Sequence, residues 1–260
     1  MELLDALRSD FVAHLPIFVR ISSFFVAIPL FRQGVPALAK LAVAAIVTVL
    51  LRPAVAVPPL PEDFLGYSLV AISEAAVGLA IGLVVTTLLS ALYLAGQFMD
   101  FPMGFGMVNV LDPQTGTQMP VLGEFLSTVA VLVLFLVDGH HVLLRTLAQS
   151  FAVLPIGAAG IDGAAVEAVT RLFSASFVLG LRIALPVMGA LFLADVALGM
   201  VARAVPQINV FFVGFPLKIG LGFAVLALVL PAFVVLMAQV LSPSGAMTEH
   251  LLSVIGALRR

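Results

Sequence analysis

The sequence Asp138-Gly139-His140-His141 gathers the side chains of this protein that are best suited to chemistry. Imidazole and carboxylate groups bind divalent metal ions and transfer protons. Neighbouring residues of a helix point about 100° apart, so both histidines are not expected to bind one ion as an i, i+4 pair does. Asp138, His141 and Arg145 share one face if a helix begins here. The pattern is more typical of an aspartate that caps a helix than of a metal or catalytic site.

Sequence motifs of the common enzyme classes are missing. The chain contains no HExxH, no Walker loop, no dinucleotide-binding glycine fingerprint and no nucleophile elbow in a workable context. It also has no cysteine, which excludes thiolate metal ligands and cysteine nucleophiles. We therefore predict a protein that is not an enzyme and that uses no cofactor or metal. An intramembrane enzyme that uses Asp138 and His141 is the weaker alternative.

Charged residues also lie within strongly apolar stretches, namely Arg20, Glu74, Arg182, Asp195 and Lys218. A charge at the centre of a bilayer costs about 2.5–3.5 kcal/mol even on a lenient insertion scale, so each of them needs a partner or water. Acidic residues do not recur along one helical face, as a proton relay requires. We predict buried charges that form ion pairs and fix helix packing, rather than a path for ions.

A stripe of small and polar residues begins at Glu74 and continues every four positions, at Gly78, Gly82 and Thr86. On a helix this spacing keeps all four residues on one face. The two glycines form a GxxxG pattern, which lets a second backbone approach closely. The stripe predicts a tight helix contact across which Glu74 is bonded.

Long apolar runs must position these residues. The chain has 260 residues, of which 62% are hydrophobic and 10% charged, with a mean hydropathy of +1.23. A membrane span needs about 20 apolar residues, so one domain over residues 1–260 has room for about six segments. The runs cover residues 11–31, 38–57, 64–98, 121–137, 172–201 and 208–241, with a half-apolar helix at 140–154.

The fold class follows from these runs. The third run would form a helix of roughly 50 Å, longer than the ~30 Å hydrocarbon core. We predict an all-α polytopic membrane protein built of long helical hairpins. The net charge of −2 argues against binding to nucleic acid.

The segment Phe98–Glu124 has an unusual composition for a membrane loop. It is rich in glycine, proline and methionine and contains no lysine or arginine. Irregular backbone at this hydrophobicity must be buried in protein or line a cavity, because unpaired N–H and C=O groups in lipid cost several kcal/mol each. The segment is therefore expected to pack inside a channel or assembly, where its soft methionines let it rearrange.

The tail 247–260 predicts an amphipathic helix. Its apolar side chains fall on one face at Met247, Leu251, Val254, Ile255 and Leu258. Such a helix lies on the membrane or on a partner protein, and the sequence does not choose between them.

Taken in order, short motifs make nearly the whole chain resemble the FliR family of flagellar biosynthesis proteins, the counterpart of the T component of virulence type III secretion export gates. The motifs are Arg20-Ile21-Ser22, Pro29-x-Phe31 to Gly34-x-Pro36 with Lys40, Met103-Gly104-Phe105-Gly106, Asp112-Pro113-Gln114-x-Gly116, Asp138-Gly139-His140-His141, Arg182-x-x-x-Pro186, Pro206-Gln207-x-Asn209-Val210-Phe211 and Gly214-x-Pro216-x-Lys218.

The resemblance implies a single copy in a gate with several FliP-like and FliQ-like subunits, associated with FlhB-like and FlhA-like export components. Hairpins of these subunits would coil into a helical, cone-shaped assembly raised largely out of the bilayer. The segment matching about Phe105–Pro120 would plug the closed pore beside methionines of the FliP-like subunits. The residues assigned to the plug and to gating on this basis are Met103, Gly104, Phe105, Gly106, Met107, Asn109, Asp112, Pro113, Gly116 and Met119.

The function predicted from the sequence is a pore-forming and plug-bearing subunit of the flagellar type III protein export gate. It would lie in the bacterial inner membrane, at the flagellar basal body, in contact with lipid, and would admit unfolded export substrates. A gate subunit of a virulence system is one alternative. A secondary transporter of a small solute is another, since broken helices with Arg182, Asp195 and Lys218 suit such a protein.

Overall fold

The computed structural model describes residues 2–28, 35–61, 63–105, 120–160, 163–207 and 209–259, with the side chains of the first helix described from His14 onward. These residues form α-helices, with a 3-10 turn at Arg52–Ala54. The α-helices are α1 (Glu2–Ala27), α2 (Ala37–Leu51), α3 (Phe64–Met103), α4 (Val121–Leu136), α5 (Gly139–Val153), α6 (Gly163–Ala204), α7 (Val210–Leu241) and α8 (Ala246–Ala257).

The helices are long and apolar, which confirms the prediction of an all-α polytopic membrane protein. Within the described ranges, four stretches can cross a membrane: Ala37–Ala54, Phe64–Met103, Gly163–Ala204 and Val210–Ala257. The broken pair α4 and α5 would add a fifth. This is fewer than the six segments expected from the runs, because α4 is too short alone and α1 adds only the shorter apolar stretch His14–Ala27.

Helix α3 is continuous over 40 residues and extends beyond Phe98, where the apolar run ends. Its last turn includes Pro102. The irregular part of Phe98–Glu124 is therefore shorter than its composition predicts, because helix continues to Met103 and begins again at Val121. Residues 106–119, which hold most of the predicted plug, lie outside the described residues.

The chain divides into two compact units. Unit 1 contains Met1–Leu88, Asp138–Phe173 and Leu241–Arg260. Unit 2 contains Leu89–Val137 and Ser174–Val240. Each has its own buried apolar core, represented by Ile17, Ile21 and Phe24 in unit 1 and by Met99, Leu126 and Leu191 in unit 2. The assignment of residues 1–260 to one domain remains a prediction.

The C-terminal helix α8 packs within unit 1. Its predicted apolar face is buried, since Met247, Leu251, Val254, Ile255 and Leu258 are at most 8% exposed. The chain beyond it is also held, because Leu258 O accepts the Gly160 N–H at 2.9 Å and Ala159 forms an isolated antiparallel bridge with Arg259. The face therefore covers the chain's own core, rather than the membrane or a partner surface that the sequence left open.

Candidate functional site

An ion pair lies in the core of unit 1. The Nε of Arg20 on α1 donates to Oε2 of Glu74 on α3 at 2.5 Å, and both side chains are fully buried. The guanidinium also donates to Ser150 Oγ at 3.2 Å and to Leu154 O at 3.0 Å. Its Cζ lies 4.2 Å from the centre of the Phe151 ring. Arg20 therefore joins α1, α3 and the end of α5.

Glu74 is satisfied through its second oxygen. Its Oε1 accepts the backbone N–H of Gly157 at 3.0 Å. A buried charge is tolerated only when it is paired and hydrogen-bonded, and this arrangement meets both conditions. Arg20 and Glu74 are thus buried together as an ion pair, a pairing that the sequence did not specify.

The small-residue stripe that follows Glu74 lies against α1. A Cβ added at Gly78 would overlap the carbonyl oxygen of Arg20, and one added at Gly82 would overlap Ala27. Thr86 donates to the carbonyl oxygen of Ala27 at 2.7 Å. The stripe forms the tight helix contact that its spacing predicts.

The remaining charges of the apolar runs lie in unit 2. Arg182 and Asp195 are exposed on this chain, so the prediction that they are buried is wrong for the chain by itself. Asp195 on α6 forms an ion pair with Lys218 on α7, whose side chain is 24% exposed. The sequence does not show which of these charges are exposed, because helices as long as α6 and α7 leave entire faces uncovered by the rest of their own chain.

The last turn of α3 forms the first anchor of the segment 106–119. Met103 is fully buried, and its side chain occupies the space beside Gly222 of α7, where an added Cβ would lie 2.6 Å from Met103 Cε. Gly104 follows with a left-handed φ of 95°, and a Cβ there would lie 2.6 Å from the ring of Phe215. Phe105 packs edge-to-face with Phe223 at 6.1 Å.

The start of α4 forms the second anchor. Both carboxylate oxygens of Asp100 lie 3.2 Å from the backbone N–H of Leu122. The α3 and α4 backbones meet at Gly96 and Gly123, where a Cβ on Gly96 would lie 2.5 Å from the carbonyl carbon of Leu122. We call these contacts, together with Met103, Gly104 and Phe105, the loop base. It holds the described residues on either side of the segment 106–119, which belong to unit 2.

Met103, Gly104 and Phe105 are the predicted gating residues that the structure describes, and it brings them together at the loop base. The others, Gly106, Met107, Asn109, Asp112, Pro113, Gly116 and Met119, lie outside the described residues. Sequence reasoning missed Asp100. The sequence pattern that could have identified it is an acidic residue at the end of an apolar run, about 20 residues before a helix start that lacks a Ser, Thr, Asn or Asp cap.

The predicted capping aspartate has a different geometry. Asp138 lies in the left-handed region at φ 56°, and its side chain makes no capping hydrogen bond to the described first turn of α5. Its Oδ1 lies instead 3.4 Å from Nδ1 of His141. The rings of His140 and His141 approach to 4.1 Å between centroids. The capping prediction is therefore wrong, because the carboxylate turns toward a histidine.

Comparison with known proteins identifies the kind of molecule that has these features. The family model described as bacterial export proteins, family 1, matches residues 11–243. The chain is 40% identical over 251 residues to the flagellar biosynthetic protein FliR of Bacillus subtilis, covering 95% of this chain and 96% of that one. The chain belongs to the FliR family of bacterial export proteins.

Other FliR proteins show the same relationship. The FliR of Pectobacterium carotovorum is 32% identical, with 82% of each chain covered, and that of Escherichia coli K12 is 30% identical, with 76% of each covered. Membership makes this chain a membrane component of the flagellar export apparatus, in a family of transport components and not of known enzymes.

Replacing Asp100 with alanine is expected to loosen the start of α4. A lost helix cap costs about 0.5–2 kcal/mol, and the Leu122 N–H would be left unsatisfied in a buried position. The measurement is hydrogen exchange at Leu122 together with the midpoint of thermal unfolding of the purified chain. Asp100→Asn is the control, because its amide oxygen still accepts a hydrogen bond. Equal protection of Leu122 in the alanine variant and the wild type would show that the carboxylate does not hold α4.

Proposed function

We propose that this chain is a pore-forming subunit of the flagellar protein export gate in the bacterial inner membrane, and that its segment 105–120 is the plug that closes the pore. The observation that carries the proposal is the loop base. A Met- and Gly-rich segment without lysine or arginine is tethered at both ends by buried contacts. The contacts of the loop base do not depend on the residues between them, so they can persist when the plug opens.

The tether combines directional and adaptable contacts. The hydrogen bond from the Leu122 N–H to Asp100 is directional. The close approach of Gly96 and Gly123 leaves little space for the two backbones to move. Met103 and Phe105 make apolar contacts to α7, which consist of many weak dispersion terms. A plug built this way opens by a shift in population when an unfolded substrate competes for its place. No covalent chemistry is required.

The partners proposed for this subunit are FliP-like and FliQ-like subunits, with FlhB-like and FlhA-like components associated. Support comes from the surfaces of α6 and α7, which expose large apolar side chains such as Phe192, Leu193, Phe212 and Leu228 at 66–83%. Hydrophobic surface of this extent is covered by lipid or by other subunits. The exposed Arg182 favours protein on part of α6, because a cation facing lipid is expensive.

Deleting residues 108–117 is expected to raise the ion conductance of the assembled gate. The physical reason is that the pore loses the material that fills it, while the loop base that holds α3, α4 and α7 stays in place. The measurement is ion leakage through the gate, co-expressed with its FliP-like and FliQ-like subunits and reconstituted in vesicles. The subunit composition of the same preparations is measured, so that a failure of assembly is recognised.

A matched replacement of residues 108–117 by glycine and serine keeps the length but removes Asn109, Asp112 and Pro113. It should leak as well, since plugging depends on side chains and not on chain length. Gly104→Val disturbs the base instead, because its left-handed φ and the Phe215 ring both resist a branched side chain. Wild-type conductance in a fully assembled deletion variant would refute the plug.

A further inference from the structure

The first turn of α5 carries side chains that the export function leaves unused. Asp138, His140 and His141 each offer one ligand atom, and these atoms all lie within 4.8 Å of one another. It is the one such group of three or more His, Asp and Glu residues in the part of the chain that the structure describes. We propose that these three residues form a binding site for one divalent transition-metal ion of the zinc class.

The geometry of the pair Asp138 and His141 already fits a metal site. Ligand atoms in a tetrahedral zinc site lie about 2.0–2.2 Å from the ion, which places neighbouring ligands roughly 3.3–3.5 Å apart. The Oδ1 of Asp138 and the Nδ1 of His141 are separated by 3.4 Å. The two side chains are 75% and 60% exposed, so they are free to rotate toward a common ion.

The adjacent histidines lie closer together than a regular helix would place them. On a regular helix their side chains point about 100° apart. Asp138 is the one non-glycine residue with positive φ among the described residues, and its carboxylate lies beside His141 in the first turn. The rings of His140 and His141 meet at 4.1 Å with a tilt of 36°. One nitrogen of each ring lies within 4.8 Å of the other and of a carboxylate oxygen of Asp138.

The donor set determines the class of ion. Two imidazole nitrogens and one carboxylate oxygen suit Zn²⁺ and its neighbours, whereas Mg²⁺ and Ca²⁺ prefer oxygen ligands alone. A water molecule would complete the four ligands. The carboxylate adds one negative charge to the donor set, and Arg145, one turn further along α5, is exposed and can point into solvent. The ion would link Asp138 to the first turn of α5, in place of the absent capping bond.

Binding of Zn²⁺ to the purified, tag-free, full-length chain in detergent tests the site. After removal of bound metal with a chelator, competition with a chromophoric indicator should show one Zn²⁺ per chain. His140→Ala and His141→Ala should each weaken Zn²⁺ binding by at least ~10–100-fold, which is the loss of affinity when a residue that only supports a metal ligand is mutated. His250→Ala is the matched control and should bind as the wild type does.

Cu²⁺ used as a spectroscopic probe supplies a second readout on the unaltered chain. Its electron paramagnetic resonance should show coupling to two imidazole nitrogens, and to one in the His141→Ala variant. Because the side chain of His141 is exposed, this substitution is expected to leave the fold intact. Zn²⁺ binding that is equal in the wild type and the His141→Ala variant, or the absence of nitrogen coupling in the wild type, would overturn the assignment.

Discussion

Replacing Arg20 with alanine is expected to destabilise the chain by about 3–5 kcal/mol, because it leaves the buried carboxylate of Glu74 without its partner charge. The loss extends to Ser150 and Leu154, which lose the donor groups of the guanidinium. The measurement is the free energy of unfolding of the purified chain in mixed detergent micelles. The amount of the protein in the membrane should also fall, because this loss is a large part of a typical free energy of unfolding.

Two matched variants separate burial of charge from loss of contacts. The double variant Arg20→Met with Glu74→Leu removes both charges and keeps similar volume, so it should recover most of the lost stability. Arg171→Ala breaks an ion pair with Glu167, in which both side chains are more than 60% exposed, and should change stability by about 0.2–1 kcal/mol. If Arg20→Ala behaved like Arg171→Ala, the buried pair could not be what holds α1, α3 and α5 together.

Replacing Gly96 with alanine is expected to destabilise unit 2 by about 3 kcal/mol, at the upper end of the range for overpacking. The added Cβ would overlap the backbone of Gly123 and would lie 2.5 Å from the carbonyl carbon of Leu122. A flexible side chain could move away, but a helix backbone can do so only if α3 and α4 separate. The measurement is again the free energy of unfolding in micelles.

The control for Gly96→Ala is Gly189→Ala on α6, where an added Cβ meets nothing within 4 Å among the described residues. That variant should be neutral or more stable by about 1 kcal/mol, because alanine favours helix over glycine. The difference between the two variants isolates the steric effect from helix propensity. A Gly96→Ala protein as stable as Gly189→Ala would mean that α3 and α4 are less close than the structure shows.

Some of the architecture follows from periodicity alone. The four-residue spacing from Glu74 to Thr86 predicted which face of α3 meets another helix, and the apolar face of α8 was predicted residue by residue. Composition likewise predicted the membrane-protein class and the all-α fold. These predictions succeed because repeats of 3.6 residues assign side chains to faces without reference to any other segment.

Helix boundaries were predicted less well. Helix α6 begins at Gly163, although its apolar run begins only at residue 172, because the preceding residues are amphipathic. A proline does not always end a helix, since α6 continues through Pro186 and α7 through Pro216 and Pro231. Neighbouring groups can satisfy the carbonyl that a proline leaves unpaired, and the sequence does not show which groups are near.

The sequence by itself determined the helical class, the contact face of α3, the apolar face of α8 and the FliR-family motifs, because each is encoded in residues close together along the chain. Only the tertiary structure decided that Arg20 pairs with Glu74, that Asp195 pairs with Lys218, that Asp100 holds the start of α4, and that Asp138 turns toward His141. The first three contacts join different helices, and the last depends on a left-handed backbone at a helix junction. Such contacts are set by how helices pack, and packing depends on the shape of whole surfaces rather than on the order of neighbouring residues.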